Sequence, residues 1–343
     1  MLMEMSSAQK HKETSRFYNV NSILGNDWAV FYGIIGPRMT GKSYSVLDYV
    51  INRKEKLKEN CKNYWLRISE SSTKALLANK ADKLVDPDLK RKYNLELTTK
   101  VDDVFNYGEP FMTVLPLSKF GKLKGVGYFD KDYNGEYNII LDEFQLEVGE
   151  KRTSFNILYN FIGMIENIVR TRKLKVKVFL LGNTLEEASE ILKAFNFLPE
   201  KFGRFYLKSK KCVIDNLEPT KEYLADRKGS LADILGGSNM SNYSNTLQQN
   251  ISAIYKGRCI KPTSIIKFYK DSSHWYTIWD NGVIKRYNKE LVLDSIAMRP
   301  YLDVPFNPIN KEAILGLYDN NGFLYDCLVT KAYFEADLQL VRK

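Results

Sequence analysis

The sequence predicts an α/β fold, a parallel sheet flanked by helices, followed by a smaller α+β domain. Three observations predict it. The run Trp28 to Ile35 (WAVFYGII) is apolar and strand-like, and Gly36 to Ser43 (GPRMTGKS) follows it at once. Strand-like and helix-like segments then alternate through roughly the first 200 residues, as in a sheet built with crossover helices. Beyond about residue 250 the pattern changes to short aromatic runs, HWYTIWDNG and VIKRYNK, which fit antiparallel hairpins.

The first strand leads into a loop that fits G-x-x-x-x-G-K-[ST] at every fixed position. A glycine loop between a strand and a helix cradles phosphate, because its N–H groups and the helix N-terminus converge on the anion. This predicts a P-loop NTPase; the acid pair Asp142 and Glu143, taken up below, would make it the ASCE type, the class that carries an added catalytic acid. Gly36, Pro37, Arg38, Met39, Thr40, Gly41, Lys42, Ser43 and Tyr44 would surround ATP. Lys42 would reach the β- and γ-phosphates, and the Ser43 hydroxyl would ligate Mg²⁺. Arg38 has two readings, a contact to the γ-phosphate or to a catalytic carboxylate, and a solvated loop residue.

A helix follows over Tyr44 to Asn52. Tyr64 to Ser69 (YWLRIS) and Phe111 to Leu117 (FMTVLPL) read as strands, with Arg67 inside the first. Between them Lys74 to Tyr93 reads as an outer, lysine-rich helix. Lys119, Lys122 and Lys124 form a basic, glycine-spaced loop, and Gly121 to Gly135 reads as exposed. They are a DNA-tracking loop or a trans-acting cation on one reading and solvated loop residues on the other.

Tyr137 to Leu141 (YNIIL) is a buried strand that ends in Asp142 and Glu143. Asp142 would hold Mg²⁺, and Glu143 would orient and polarise the attacking water. The second acid matters, since a nucleotide kinase excludes water and a hydrolase must activate it. Phe155 to Arg172 reads as a helix with Leu158, Ile162, Ile165 and Val169 on one face and Ser154 as N-cap. Arg170 and Arg172 close it. They are either cations for a neighbouring subunit's nucleotide or charge favoured by the helix dipole. Val176 to Leu181 is the next strand, and Asn183 at its tip could hydrogen-bond the γ-phosphate or the water.

Lys201 to Lys211 is basic with interleaved aromatics, and Gly229 to Gln249 is rich in Gly, Ser and Asn. The organisation expected is therefore an ATPase domain over 1–200, a linker or small connecting domain over 201–250, and a third part over 251–343.

A formal charge of +10 in 343 residues, with a pI near 9.1, favours an acidic polymer as partner. Four scattered cysteines without a C-x-x-C pair point to neither zinc nor a disulfide framework. Two histidines are too few for a His-based metal site. No apolar run reaches the roughly 18 residues of a membrane span, and the polar start lacks a signal-peptide core. A cytoplasmic protein is expected. The residues leave open an ATP-driven DNA translocase, a helicase, and a nucleotide kinase or non-hydrolysing ATP-binding module.

Phe17-Tyr18-Asn19, GPRMTGKS, Pro116 to Ser118, ILDEF over Ile140 to Phe144, Arg170 to Arg172 and Gly182-Asn183 occur in one order. Together they resemble the DNA-packaging ATPases of phi29-like tailed bacteriophages. The resemblance implies a homopentameric ring at the portal vertex of a procapsid in the host cytoplasm, hydrolysing ATP to drive double-stranded DNA inward. It makes Lys42, Ser43, Asp142 and Glu143 the hydrolytic core and Arg170 the inter-subunit finger. It puts Lys124 near a lysine acting in trans, and Tyr18 and Asn19 near the adenine. It also implies a C-terminal domain similar to an RNase H-like nuclease that has lost its metal-binding acids. Nothing in the sequence brings Asp271, Asp280, Asp294 and Asp303 together. Some members of that family need a structural RNA on the motor.

Overall fold

The computed structural model describes residues 17–123, 133–144, 155–170, 175–183, 189–230, 234, 253–260, 262–268, 274–287, 301–303, 308–320 and 322–342. The chain divides into two compact units. One comprises Met1–Phe195 and Lys201–Thr246, and the other Asn196–Glu200 and Leu247–Lys343. Among the described residues, no helix is long and apolar enough to cross a membrane.

The first unit begins with α1 (Asn21–Leu24), β1 (Phe31–Ile35) and α2 (Lys42–Leu57). β2 (Cys61–Arg67) follows, then α3 (Glu70–Ala81) and α4 (Pro87–Lys92). The lysine-rich segment is thus two helices rather than one. Ala78, Asn79 and Lys80 leave helical geometry, and Asp86 with Pro87 starts a new helix as N-cap and N1. β3 (Leu97–Lys100), β4 (Asp103–Asn106) and β5 (Glu109–Pro116) form a meander that ends in the short α5 (Phe120–Leu123). Then come β6 (Glu136–Asp142), α6 (Ile157–Val169), β7 (Lys175–Gly182) and α7 (Glu190–Ala194). β8 (Gly203–Leu207), β9 (Cys212–Asn216) and α8 (Lys221–Arg227) complete the unit.

Among the described residues these strands make one nine-stranded sheet in the order β3-β4-β5-β2-β6-β7-β1-β9-β8. Strands β5, β2, β6, β7, β1 and β9 run parallel, and antiparallel strands close both edges. The central strands are near-continuous apolar runs because helices cover both faces, as the all-buried pattern of β6 shows. Residues 201–216 correct the expected linker: β8 and β9 are strands of the main sheet. Their aromatic and basic residues masked an ordinary edge pair, in which the inner strand β9 is wholly buried. Most of 229–249 lies outside the described residues.

The second correction concerns α6. Its buried apolar residues are Ile157, Phe161, Met164, Ile168 and Val169; Val169 belongs to the expected stripe, whereas Ile162 is 48% exposed and the rest of the buried face lies one position ahead of that stripe. Two apolar stripes run side by side on this helix, so periodicity alone cannot set its rotation. Burying the larger Phe161 and Met164 removes more apolar area from water. Asn160 fixes the choice by donating from Nδ2 to the Leu117 carbonyl at 2.9 Å. The N-cap is Asn156, whose Oδ1 accepts from the Tyr159 N–H at 2.8 Å. The expected cap, Ser154, lies outside the described residues.

A buried network pins the N-terminal segment to the far edge of this sheet. The Tyr18 hydroxyl donates to Asp215 Oδ2 at 2.8 Å, and Arg204 donates to both Asp215 oxygens at 2.6 and 2.7 Å. Arg204 also donates to the Ser22 carbonyl at 2.6 Å.

In the second unit β10 (Pro262–Lys267), β11 (Trp275–Trp279) and β12 (Val283–Tyr287) form an antiparallel meander. The predicted turn is present: Gly282 has φ 75°, and its N–H donates to the Trp279 carbonyl at 2.9 Å. β13 (Tyr301–Asp303), α9 (Pro308–Asp319), β14 (Leu324–Tyr325) and α10 (Leu328–Arg342) follow. β13 joins β10, and β14 joins β12, both in parallel, so the sheet is mixed rather than purely antiparallel. Phe334 of α10 centres the core, with Phe268, Tyr276, Phe323 and Tyr325 packed edge-on around it.

Candidate functional site

The site lies at the carboxyl ends of parallel strands, where an open α/β sheet places its ligands. The sheet register aligns those ends. Ile35 of β1 pairs with Gly182 of β7, Leu181 of β7 with Asp142 of β6, and Leu141 of β6 with Leu66 of β2. The loop after β1, the acids that end β6, Asn183 after β7 and Arg67 at the end of β2 therefore open on one edge. A cleft of about 320 Å³ runs between them.

Two glycines are required by the loop itself. At Gly36 a Cβ would come within 2.7 Å of Leu217. Gly41, the residue before α2, has φ 76°, which only glycine adopts without strain. Thr40 braces the turn by donating from Oγ1 to the Pro37 carbonyl at 2.9 Å. Lys42 is buried and donates to the Gly36 and Pro37 carbonyls at 2.9 and 2.6 Å, so its ammonium sits over the loop. Ser43 donates to Asp142 Oδ1 at 3.3 Å.

Arg67 is the residue that the sequence undervalued. It pairs with Asp142 Oδ2 at 2.8 Å and, through Nη1, with Glu143 Oε2. One guanidinium thus holds both acids. Its position beside β6 is a matter of strand order, which the run YWLRIS cannot disclose. Glu143 has φ 54°, a left-handed conformation that costs a non-glycine residue about 1–2 kcal/mol. Such outliers gather at functional sites.

Burial sets the charge state of the site. It pushes the Asp142 carboxyl up to about 6; Arg67 opposes this and Glu143 adds to it. Burial also brings the Lys42 ammonium down to about 8, with Asp142 opposing and Arg38 adding. The signs give a testable window. The folded chain holds the Asp142 proton more tightly than the unfolded chain, so this group's contribution to stability falls as pH rises from about 4 to about 6. The folded chain holds the Lys42 proton less tightly, so that contribution rises between about 8 and 10.5. A ligand that needs an ionised Asp142 and a charged Lys42 binds best between pH 6 and 8. Isothermal titration with ATP and Mg²⁺ should show affinity falling on both sides, with proton release on the acid side and proton uptake on the alkaline side. A flat profile from pH 5 to 9 would contradict it.

The donor set suits Mg²⁺, a hard cation that takes one or two protein oxygens and completes its shell with phosphate and water. Ser43 and Asp142 are such a pair. Among the described residues, no group of three or more His, Cys, Asp or Glu side chains could hold a metal by itself.

The structure brings Arg38, Met39, Thr40, Gly41, Lys42, Ser43, Tyr44, Asp142, Glu143 and Asn183 to the cleft. It does not bring all the candidates there. Tyr18 is 4% exposed, with its hydroxyl committed to Asp215; its N–H donates to the Thr40 carbonyl at 2.9 Å, so it braces the loop from behind. Asn19 is a surface residue whose Oδ1 accepts from the Asn21 N–H at 3.0 Å. Arg170 is exposed at the end of α6, with φ 54° and its N–H on the Glu166 carbonyl at 2.9 Å. Lys119 pairs with Glu70 at 3.2 Å, and Lys122 is exposed on α5. Lys124 and Arg172 lie outside the described residues.

The sequence model of one family, described as podovirus DNA encapsidation protein (Gp16), matches residues 12–312. No curated protein matches at a significant level. The fold is similar to that of the phi-28 gp11 DNA packaging motor, at 15% identity and a TM-score of 0.62 over 96% of this chain and 98% of that one. It is likewise similar to a chain of the bacteriophage phi-29 viral genome packaging motor assembly, at 19% identity and a TM-score of 0.61 over 96% of this chain and all of the other.

Proposed function

The chain belongs to the podovirus DNA encapsidation protein (Gp16) family, and from that premise we propose that it is an ATP-driven motor that moves double-stranded viral DNA into a preformed procapsid. One observation carries the reading: Ser43 Oγ lies 3.3 Å from Asp142 Oδ1, which joins two motifs 99 residues apart in one cleft. The site is then that of a P-loop NTPase of the ASCE type, a reading supported by β7 lying between the loop strand β1 and the acid strand β6.

In this reading the loop N–H groups and the N-terminus of α2 bind the phosphates. Lys42 exchanges the Gly36 and Pro37 carbonyls for β- and γ-phosphate oxygens. Ser43 and Asp142 hold Mg²⁺, which when bound neutralises triphosphate charge. Glu143 accepts the proton of the attacking water, and Arg67 orients both acids. Asn183 hydrogen-bonds the γ-phosphate or that water, and so senses whether the bond has been cleaved.

Arg170, exposed at a helix end, completes the site of a neighbouring subunit in a ring, a homopentamer at the portal vertex in the host cytoplasm. A net charge of +10 suits a duplex that carries one negative charge per about 1.7 Å, gripped without reading sequence. Lys122, on α5, and Lys124 are the cations assigned to that grip, and Lys119 joins them where it leaves Glu70. The second unit is taken as an RNase H-like domain that binds DNA, the portal or a structural RNA without cleaving; its mixed five-stranded sheet supports the relationship. Asp280 lies at the end of β11 and Asp303 at the end of β13; Asp271 and Asp294 lie outside the described residues.

The test is ATP hydrolysis by the full-length protein with and without long double-stranded DNA, together with imaging for ring symmetry. Stimulation by DNA and a closed ring are expected. A folded protein without ATP affinity would end this reading. Linearisation of supercoiled DNA in Mn²⁺ or Mg²⁺ would instead favour an active terminase.

A further inference from the structure

Strands β1 and β9 end side by side, with Ile35 opposite Asn216. The phosphate loop leaves from β1, and the segment that leads into α8 leaves from β9, on the flank away from β6. These two departures are packed together. The Leu217 N–H donates to the Ile35 carbonyl at 2.8 Å, and the Leu217 side chain fills the space beside Gly36. Thr220 caps α8, its Oγ1 accepting from the Tyr223 N–H at 3.1 Å. The helix thereby delivers its last residue, Arg227, to the tip of the loop.

There the guanidinium carbon lies 5.6 Å from the centroid of the buried Tyr223 ring, a stacking platform that restricts its position. Nη1 approaches Met39 Sδ at 4.0 Å, and a thioether is a weak acceptor. Nε is buried and has no hydrogen-bond partner among the described residues. Burying a guanidinium N–H without an acceptor is costly, and such donors favour phosphate oxygens, which they meet with a planar fork. Met39 belongs to the glycine loop and lines the cleft.

We propose that Arg227 is a nucleotide-binding residue acting within its own subunit, donating from Nε and Nη to a phosphate oxygen of the nucleotide held by the loop. The proposal rests on the reading of that loop as a triphosphate cradle. It gives the cradle a cation on the flank opposite Asp142 and Glu143, separate from the inter-subunit role assigned to Arg170.

The experiment is titration of full-length protein with ATP, ADP and AMP in Mg²⁺, for wild type, Lys42→Ala, Arg227→Gln and Arg227→Lys. Thermal midpoints are measured without nucleotide. Lys42→Ala and Arg227→Gln should each lose about tenfold or more in ATP affinity. Loss for ATP alone identifies the γ-phosphate as acceptor, and equal loss for ATP and ADP identifies a phosphate nearer the ribose. Wild-type affinity in Arg227→Gln, with Lys42→Ala impaired, overturns the proposal and leaves the cradle standing. Wild-type affinity in Lys42→Ala overturns both. If Arg227→Gln lowers the thermal midpoint, Arg227→Lys decides, since it keeps the charge and the stem but lacks the fork. A weakened affinity at an unchanged midpoint supports the proposal, and wild-type affinity refutes it.

Discussion

Glu143→Gln is expected to bind ATP and to lose turnover by a factor on the order of 10²–10⁴, the range that a positioned general base supplies. Gln keeps the shape of the side chain and removes its capacity to accept a proton. The fold should be unharmed. Arg67 retains its 2.8 Å pair with Asp142, so no buried guanidinium loses all its partners, and more than half of the Glu143 side chain faces solvent. Single-turnover phosphate release, with ATP affinity measured in parallel, gives the answer. A variant that hydrolyses at the wild-type rate would remove Glu143 from the chemistry, and a nucleotide kinase or a passive ATP-binding module would become the better description.

The second large effect concerns Arg170. An arginine supplied across an interface is worth roughly 10³–10⁵ in turnover, so Arg170→Ala rings should be almost inert. Lys42→Ala rings should be inert as well, for want of a phosphate-binding lysine. Mixing the two should restore activity. Each Lys42→Ala subunit still offers Arg170 to a neighbour, and each Arg170→Ala subunit still has an intact loop. Activity plotted against mixing ratio should rise to a maximum between two inactive ends. A line that stays at the baseline would place Arg170 within its own chain's site, and active Arg170→Ala rings would place it outside catalysis. Arg170 itself is exposed at the end of α6.

The loop and the acid pair were legible because both are local signals. GPRMTGKS requires small residues where backbone must approach phosphate or turn left-handed, and those requirements act over eight positions in the chain. YNIILDE announces a buried strand by its apolar content, and the acids at its end can only face the strand-terminal edge. Arg67 was not legible, although it touches both acids. Its role depends on β2 lying next to β6, and strand adjacency involves residues more than 70 positions apart. Arg227 was hidden for the same reason, since its place beside Met39 follows from β9 pairing with β1. The strands β8 and β9 were read as a linker because an edge pair with exposed basic residues has the composition of a loop.

The sequence by itself supplied the parts that the proposed chemistry needs: a glycine loop suited to phosphate, a hydroxyl and carboxylate suited to magnesium, and a second acid for water. Short-range steric and hydrogen-bonding demands leave few residue types able to meet them. Tertiary structure alone decided that Arg67 holds both acids and which face of α6 is buried. A guanidinium acts through space on whatever the sheet sets beside it, and two equally periodic stripes on a helix differ only in what packs against them.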